Sequence, residues 1–225
     1  MSDSELRRAF HDDVGRLRLR VESVGAQVVA SIEMATTALL EADSATALEV
    51  CARDAAVDAA AVWVEREVFD LVARQAPVAS DLRLVMATLR IAQDVERAGD
   101  LTASIAKRVG RMSGTSLDRG VRATIAEIGE ESRALFEAAV RCYRVLDAEM
   151  AQVVIDGDDR VDELHRRLLR ELFALAGEAP ETLVELGLVA RFYERIADHA
   201  VVIAERVRFA AVGEMNAGDA DERVW

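Results

Sequence analysis

The sequence predicts an all-α protein made of two tandem three-helix bundles, six long antiparallel helices in all. Three observations predict it. The first is an internal repeat. Residues 95–109, VERAGDLTASIAKRV, align with residues 193–207, YERIADHAVVIAERV, so that Glu96 meets Glu194, Arg97 meets Arg195, Asp100 meets Asp198, Ile105 meets Ile203 and Val109 meets Val207. The second is the reach of that repeat. Glu33 matches Glu137, Asp43 matches Asp147, Ala47 matches Ala151, Val50 matches Val154, Asp54 matches Asp158, Val57-Asp58 matches Val161-Asp162, and Phe69 matches Phe173, all about 104 residues apart. The third is composition: 52% hydrophobic residues, mostly Ala, Val and Leu, with 4% aromatics and 2 prolines, which favours helix over sheet.

The elements follow in order. A first helix is expected from near residue 4 to 41, closed by Glu41-Ala42-Asp43-Ser44, with Asp43 as the N-cap of the next. The second helix runs to about 74, and Pro77 turns the chain into a third at about 79–110, ending near Gly110. The stretch 110–118, GRMSGTSLD, reads as a linker. The second copy repeats the plan: a helix at about 119–145, Asp147 as N-cap of a helix to 176, and Pro180 opening a helix to about 211. The only prolines keep the frame, as Ala76-Pro77 and Ala179-Pro180, the second copy being about five residues shorter beyond them. The expected division is 1–111 for the first repeat, 112–212 for the second and 213–225 for a polar tail. Phe69 and Phe173 are expected at equivalent core positions, and Trp63, Phe136, Tyr143, Phe192 and Tyr193 are expected to pack.

Charge narrows the function. A formal net charge of -13 and a pI near 4.8 repel nucleic acid and anionic lipid and favour cations or basic partners. The N-terminus, MSDSELRRAF, lacks the basic and apolar regions of a secretory signal, and no run reaches 18 apolar residues, AAAVWV being interrupted at Glu65. Cys51 and Cys142 do not correspond in the repeat and read as reduced, packed thiols, so a cytoplasmic protein is expected.

The chemistry-bearing feature is a set of carboxylate pairs. Side chains at i and i+4 share a helix face about 6 Å apart, and two carboxylates there repel unless a cation lies between them. Four such pairs stand in corresponding positions: Asp54/Asp58, Asp158/Asp162, Glu96/Asp100 and Glu194/Asp198. With 41 acidic residues in the chain, chance alone supplies roughly seven such spacings, so a solvated face is the default for any one pair. Recurrence in register argues otherwise. In the third helix Arg83, Arg90, Asp94, Arg97 and Arg108 form one stripe, read as the wet face, whereas Glu96 and Asp100 extend the line Leu82, Val85, Leu89, Ala92, which should be buried. In the sixth helix Arg191 and Arg195 border Glu194/Asp198, leaving a salt-bridged or solvated reading open there. Oxygen ligands suit magnesium, manganese, iron or calcium, and zinc less typically.

The three histidines, His11, His165 and His199, do not supply the Glu-x-x-His spacing of a di-iron enzyme. No Ser-His-Asp order, glycine-rich phosphate loop or CxxC stands beside them. His199, next to Asp198, points about 100° from it and reads as a polar helix-face residue.

The segments QAPVASDLRLVMATLRIAQDVERAGD (75–100) and ARFYERIADHAVVIAERV (190–207), with the two-fold repeat and the Asp-x-x-x-Asp elements, resemble the PhoU family of phosphate-signalling regulators, over about 8–210 of the chain. The resemblance implies pseudo-two-fold symmetry between the bundles, frequent dimerisation, and metal at the acidic motifs, iron and zinc being known in the family. It places the metal at Glu96, Asp100, Glu194 and Asp198, with Asp54, Asp58, Asp158 and Asp162 after them. It also implies an adaptor with no catalytic activity. Such an adaptor works between a phosphate ABC transporter, through its ATPase, and a membrane sensor histidine kinase, meeting the membrane only through these proteins. The chain departs from the family pattern at Leu101, where His is common, and at Ser104 and Val202, where Asn is common; a weaker affinity or a single metal site follows. Two other readings compete: a helix-bundle metalloprotein for storage or catalysis, and a plain dimerisation bundle whose acidic pairs only keep it in solution.

Overall fold

The computed structural model describes residues 3–112, 117–175 and 180–213. The helices are α1 (Asp3–Glu41), α2 (Ser44–Gln75), α3 (Ala79–Val109), α4 (Arg119–Val145), α5 (Ala148–Ile155), α6 (Asp159–Ala174) and α7 (Pro180–Val212), with a 3-10 turn at Gly110–Met112. Among the described residues there is no strand. The α1, α2 and α3 helices pack on one another, α4 to α7 form the second bundle, and the bundles meet along α1–α4 and α3–α7.

Local chemistry explains the boundaries. The Asp43 carboxylate accepts from the N–H groups of Ala45 and Thr46, and Asp147, its repeat mate, accepts from Glu149 and Met150. The residue before each cap is left-handed, Ala42 at φ 55° and Leu146 at φ 54°, so the same turn is built twice. Asp118 caps α4 through the N–H groups of Gly120 and Val121. Gly110 follows the end of α3 but keeps φ -64° and continues into the 3-10 turn rather than turning left-handed. The residues 113–116 of the expected linker, the turn at 176–179 and the tail from 214 lie outside the described residues.

Two expectations are corrected. The helix expected from Asp147 to 176 is broken: α5 ends at Ile155 and α6 begins at Asp159. The interruption reads Asp156-Gly157-Asp158, where glycine costs helix stability and aspartate prefers a cap to a helix interior. A Cβ on Gly157 would lie 3.0 Å from Leu135 Cδ1, so the break is pressed against α4. The second correction is that Phe69 and Phe173 are not core residues; they are 62% and 82% exposed, and Trp63 and Leu82 are also exposed. The repeat does hold there, but it repeats a surface. Phe136, Tyr143 and Tyr193 are fully buried, and Phe192 packs on the core.

One segment, Arg7–Glu41, is by length and composition apolar enough to cross a membrane. Its face Phe10, Val14, Leu17, Val21, Val28 and Ile32 is buried in the protein's own core.

The seam between the bundles is pseudo-symmetric in detail. The α1 and α4 helices run antiparallel and touch at two glycines one repeat apart. A Cβ on Gly25 would sit 2.8 Å from Val140, and one on Gly129 would sit 2.6 Å from Thr36; Thr36 and Val140 are themselves repeat mates. Each helix also lends an arginine to the other's C-terminal carbonyls. Arg18 donates to Arg144 O (2.7 Å) and Tyr143 O (3.2 Å), and Arg122 donates to Leu40 O. Two buried phenols complete the seam. The Tyr143 hydroxyl donates to Thr88 Oγ1 at 3.0 Å, and the hydroxyls of Tyr193 and Thr36 meet at 2.7 Å. Because Thr36 donates its proton to Ile32 O, Tyr193 is the donor to Thr36. Burial drives both phenol pKa values up, so both stay protonated donors.

Along α3–α7, Glu185 holds Arg108 at 2.6 Å and Arg111 at 3.3 Å, while Arg108 lies over the Phe192 ring. Asp94 meets His199 at 3.1 Å. The stripe read as the wet face of α3 is therefore divided: Arg90 and Arg97 are exposed, but Asp94 and Arg108 belong to the inter-bundle seam.

Replacing Gly129 with Ala is expected to displace Thr36 and disturb its bond from Tyr193, costing about 1–3 kcal/mol as overpacking does. Thermal unfolding by circular dichroism should then show a midpoint lower by several degrees, and an unchanged midpoint would show that the seam has slack.

Candidate functional site

The α3 helix turns Gly99 toward α2. A Cβ there would lie 3.2 Å from Val57 Cγ1 and 3.4 Å from Asp54 Oδ1, so the missing side chain lets a carboxylate rest against the α3 backbone. The neighbours of Gly99 on α3 are Asp100 and, one turn before it, Glu96; those of Asp54 on α2 include Asp58, one turn on. Ligand oxygens of Asp54, Asp58 and Asp100 lie within 4.8 Å of one another, the only such convergence of three or more metal-ligating side chains among the described residues. Glu96 borders the group.

These carboxylates are poorly compensated. Asp54 is half-buried, and its Oδ1 is buried without a hydrogen-bond partner among the described residues. Burial raises the Asp54 pKa most, the charges of Asp58 and Asp100 raise it further, and Lys107 opposes them. Glu96 is raised in the same way, first by burial and then by Asp100, Asp58 and Asp54, against Arg97. Lys107 and Arg97 act only at a distance: among the described residues no ion pair is made to Asp54, Asp58, Glu96 or Asp100.

The corresponding second set is arranged differently. Asp158 stands at the N-cap position of α6 and Asp162 in its first turn, where the positive end of the helix favours negative charge. On α7, Glu194 forms an ion pair with Arg191. His165 is near enough to Arg191, Asp162 and Asp198 to feel their charge, and burial first, then Arg191, holds its pKa below the usual histidine value. His199 turns from the acidic pair to Asp94 of α3. Asp158, Asp162, Glu194 and Asp198 do not bring three ligand atoms together as the first set does.

The first set fits a hard cation. It offers only carboxylate oxygens, one of them buried and without a donor among the described residues. Gly99 and His165 carried no signal in the acidic spacing. Gly99 was legible only as the small residue between Glu96 and Asp100, matched by Ala197 in the second copy.

The raised carboxyls have a consequence for stability. In metal-free protein the folded pKa values of Asp54 and Glu96 exceed the unfolded ones, so their contribution is fully present below the unfolded carboxylate range and is lost as pH rises through the raised values. Asp54→Asn should therefore raise the melting temperature of chelator-treated protein at neutral pH, by at least about 1 °C on the scale of a relieved like-charge pair. The gain should shrink as pH falls through the carboxylate range. Melting curves of both proteins across pH 4–8 check this, and a pH-independent difference would contradict it.

The PhoU domain family model matches residues 21–109 and 125–207, one stretch in each bundle. The Mycobacterium tuberculosis phosphate-specific transport system accessory protein PhoU homolog 2 is 33% identical over 210 residues, spanning 92% of this chain and 99% of that protein. Homolog 1 from the same organism is 34% identical over 216 residues, spanning 95% and 98%. Among solved structures, PhoU from Pseudomonas aeruginosa superposes with a TM-score of 0.86 at 30% identity, over 91% of this chain and 100% of that one. The phosphate transport system regulatory protein PhoU from Streptococcus pneumoniae shares the fold, with a TM-score of 0.85 at 24% identity over 92% and 99%. With both bundles matched by the family model and the whole architecture shared, the chain belongs to the PhoU family.

Proposed function

We propose that this protein is a metal-binding regulator of phosphate uptake and of the phosphate-starvation response, a cytoplasmic adaptor between the ATPase of a phosphate ABC transporter and a membrane sensor histidine kinase. The observation that carries the metal part is the convergence of Asp54, Asp58 and Asp100 beside Glu96, with a buried Asp54 oxygen that no donor among the described residues reaches. Asp54, Asp58, Asp100 and Glu96 would hold the ion, and iron, manganese, magnesium or zinc is the candidate class. When bound, the ion supplies positive charge that relieves the repulsion and ties α2 to α3. The residues themselves bind and orient; no nucleophile and base are set beside them, so the role is regulatory rather than catalytic.

The adaptor part is supported by relatives named as accessory proteins of phosphate-specific transport. An acidic chain of net charge -13 suits docking on protein partners better than on anionic lipid, so it reaches the membrane through them. Repetition of exposed Phe69 and Phe173 gives both bundles an apolar contact residue, consistent with partners or a homodimer.

Two measurements test the proposal. Elemental mass spectrometry on untagged protein should find stoichiometric metal that is lost in Glu96→Ala/Asp100→Ala; metal retained by that variant would remove the first set as ligands. Deleting the gene should leave a phosphate-starvation reporter switched on in high phosphate, and a normal shut-off would refute the regulatory role.

A further inference from the structure

Aligning the two acidic sets position by position exposes three differences, each acting in the same direction. In the first repeat Asp54 and Asp58 lie in the middle of an unbroken helix, where no helix end compensates them. In the second, the break at Asp156–Asp158 places Asp158 and Asp162 at the start of α6, where the helix dipole favours carboxylates although Asp158 makes no side-chain cap bond. In the first repeat Gly99 admits Asp54 to the α3 backbone. Its mate is Ala197, fully buried, which carries a methyl group where Gly99 has none. The first repeat has uncharged Gln93 one turn before Glu96; its mate is Arg191, ion-paired with Glu194.

We propose that the two repeats are inequivalent toward metal: the first takes the ion, whereas the second is neutralised from within by Arg191 and binds none until that charge is removed. This rests on the metal reading of the first repeat. Arg191 is the residue that decides it, because it supplies a cation to Glu194, where the first repeat has uncharged Gln93. The guanidinium therefore occupies one of the carboxylates that would otherwise receive an ion. It is a positioning and specificity residue, acting through Glu194 and its neighbours.

The test counts manganese(II) bound to chelator-stripped full-length protein by electron paramagnetic resonance. Asp54→Asn/Asp100→Asn should abolish wild-type binding, and Asp162→Asn/Asp198→Asn should leave it unchanged. Arg191→Gln, which places the first repeat's own residue in the second, should add a further binding event, and combining it with Asp162→Asn/Asp198→Asn should remove that addition. Arg191→Lys keeps the charge and should add none. Arg191 has a side chain 46% exposed, so the fold should survive its replacement, with melting midpoints confirming it. Reduced wild-type stoichiometry in Asp162→Asn/Asp198→Asn, or no gain in Arg191→Gln, overturns the inference. Binding by Arg191→Gln alone, with none by the wild type, would keep the role of Arg191 and instead reject the first repeat as a metal site.

Discussion

Close approach of backbones, permitted by glycine, is the constraint on which the rest of this molecule depends. Gly25 and Gly129 bring α1 and α4 together so tightly that a single methyl group on either would meet Val140 or Thr36 inside van der Waals distance. That approach sets the reach of the seam's polar bonds: Arg18 and Arg122 across the helix ends, and Tyr193 to Thr36 through the core. The same device recurs at the acidic site, where Gly99 brings the α3 backbone within contact of Asp54. Distances set by packing thus place three carboxylates where their charges have no choice but to interact.

The electrostatic consequence follows from dielectric and geometry rather than from residue count. Forty-one acidic residues on a 225-residue chain mostly face water, where like charges cost little. Asp54 and Glu96 are different because burial and neighbours act together on them. Among the described residues Lys107 and Arg97 act only as distant charges, so the repulsion stays unresolved there. In the second bundle Glu194 is ion-paired with Arg191, and Asp158 and Asp162 stand at the start of α6. Duplication of one unit has therefore left two sites of similar spelling and different physics.

Much of the architecture was legible in the sequence because helices leave periodic and punctuated signals. Asp43 and Asp147 marked their caps, Pro180 opened its helix, and α4 begins and ends where the pattern placed it. The break at Gly157 was missed because the repeat predicted a continuous helix, while the local run Asp-Gly-Asp-Asp favoured an interruption. Phe69 and Phe173 were misplaced because equivalence in a repeat fixes environment, not burial. Asp94 and Arg108 belong to a seam between bundles, which single-helix periodicity does not encode. At the site, the acidic spacing named residues on α2 and α3 that the fold brings together, Asp54, Asp58 and Asp100. Arg191 beside Glu194 was legible as well, and the ion pair is there, but the acidic spacing was blind to Gly99, which lets Asp54 rest against the α3 backbone. Arg18 and Arg122, and Gly25 and Gly129, lie at the repeat spacing too and were open to the same comparison.

The central claim is that the first repeat's carboxylates form a cation site. Its most direct test is a crystal structure of metal-loaded protein with data collected on either side of the metal's absorption edge. The account predicts an anomalous peak among the oxygens of Asp54, Asp58 and Asp100, about 2.0–2.6 Å from each ligand, and none beside Glu194 and Asp198. Absence of a peak in the first set from fully loaded crystals, or a peak only in the second, would contradict it.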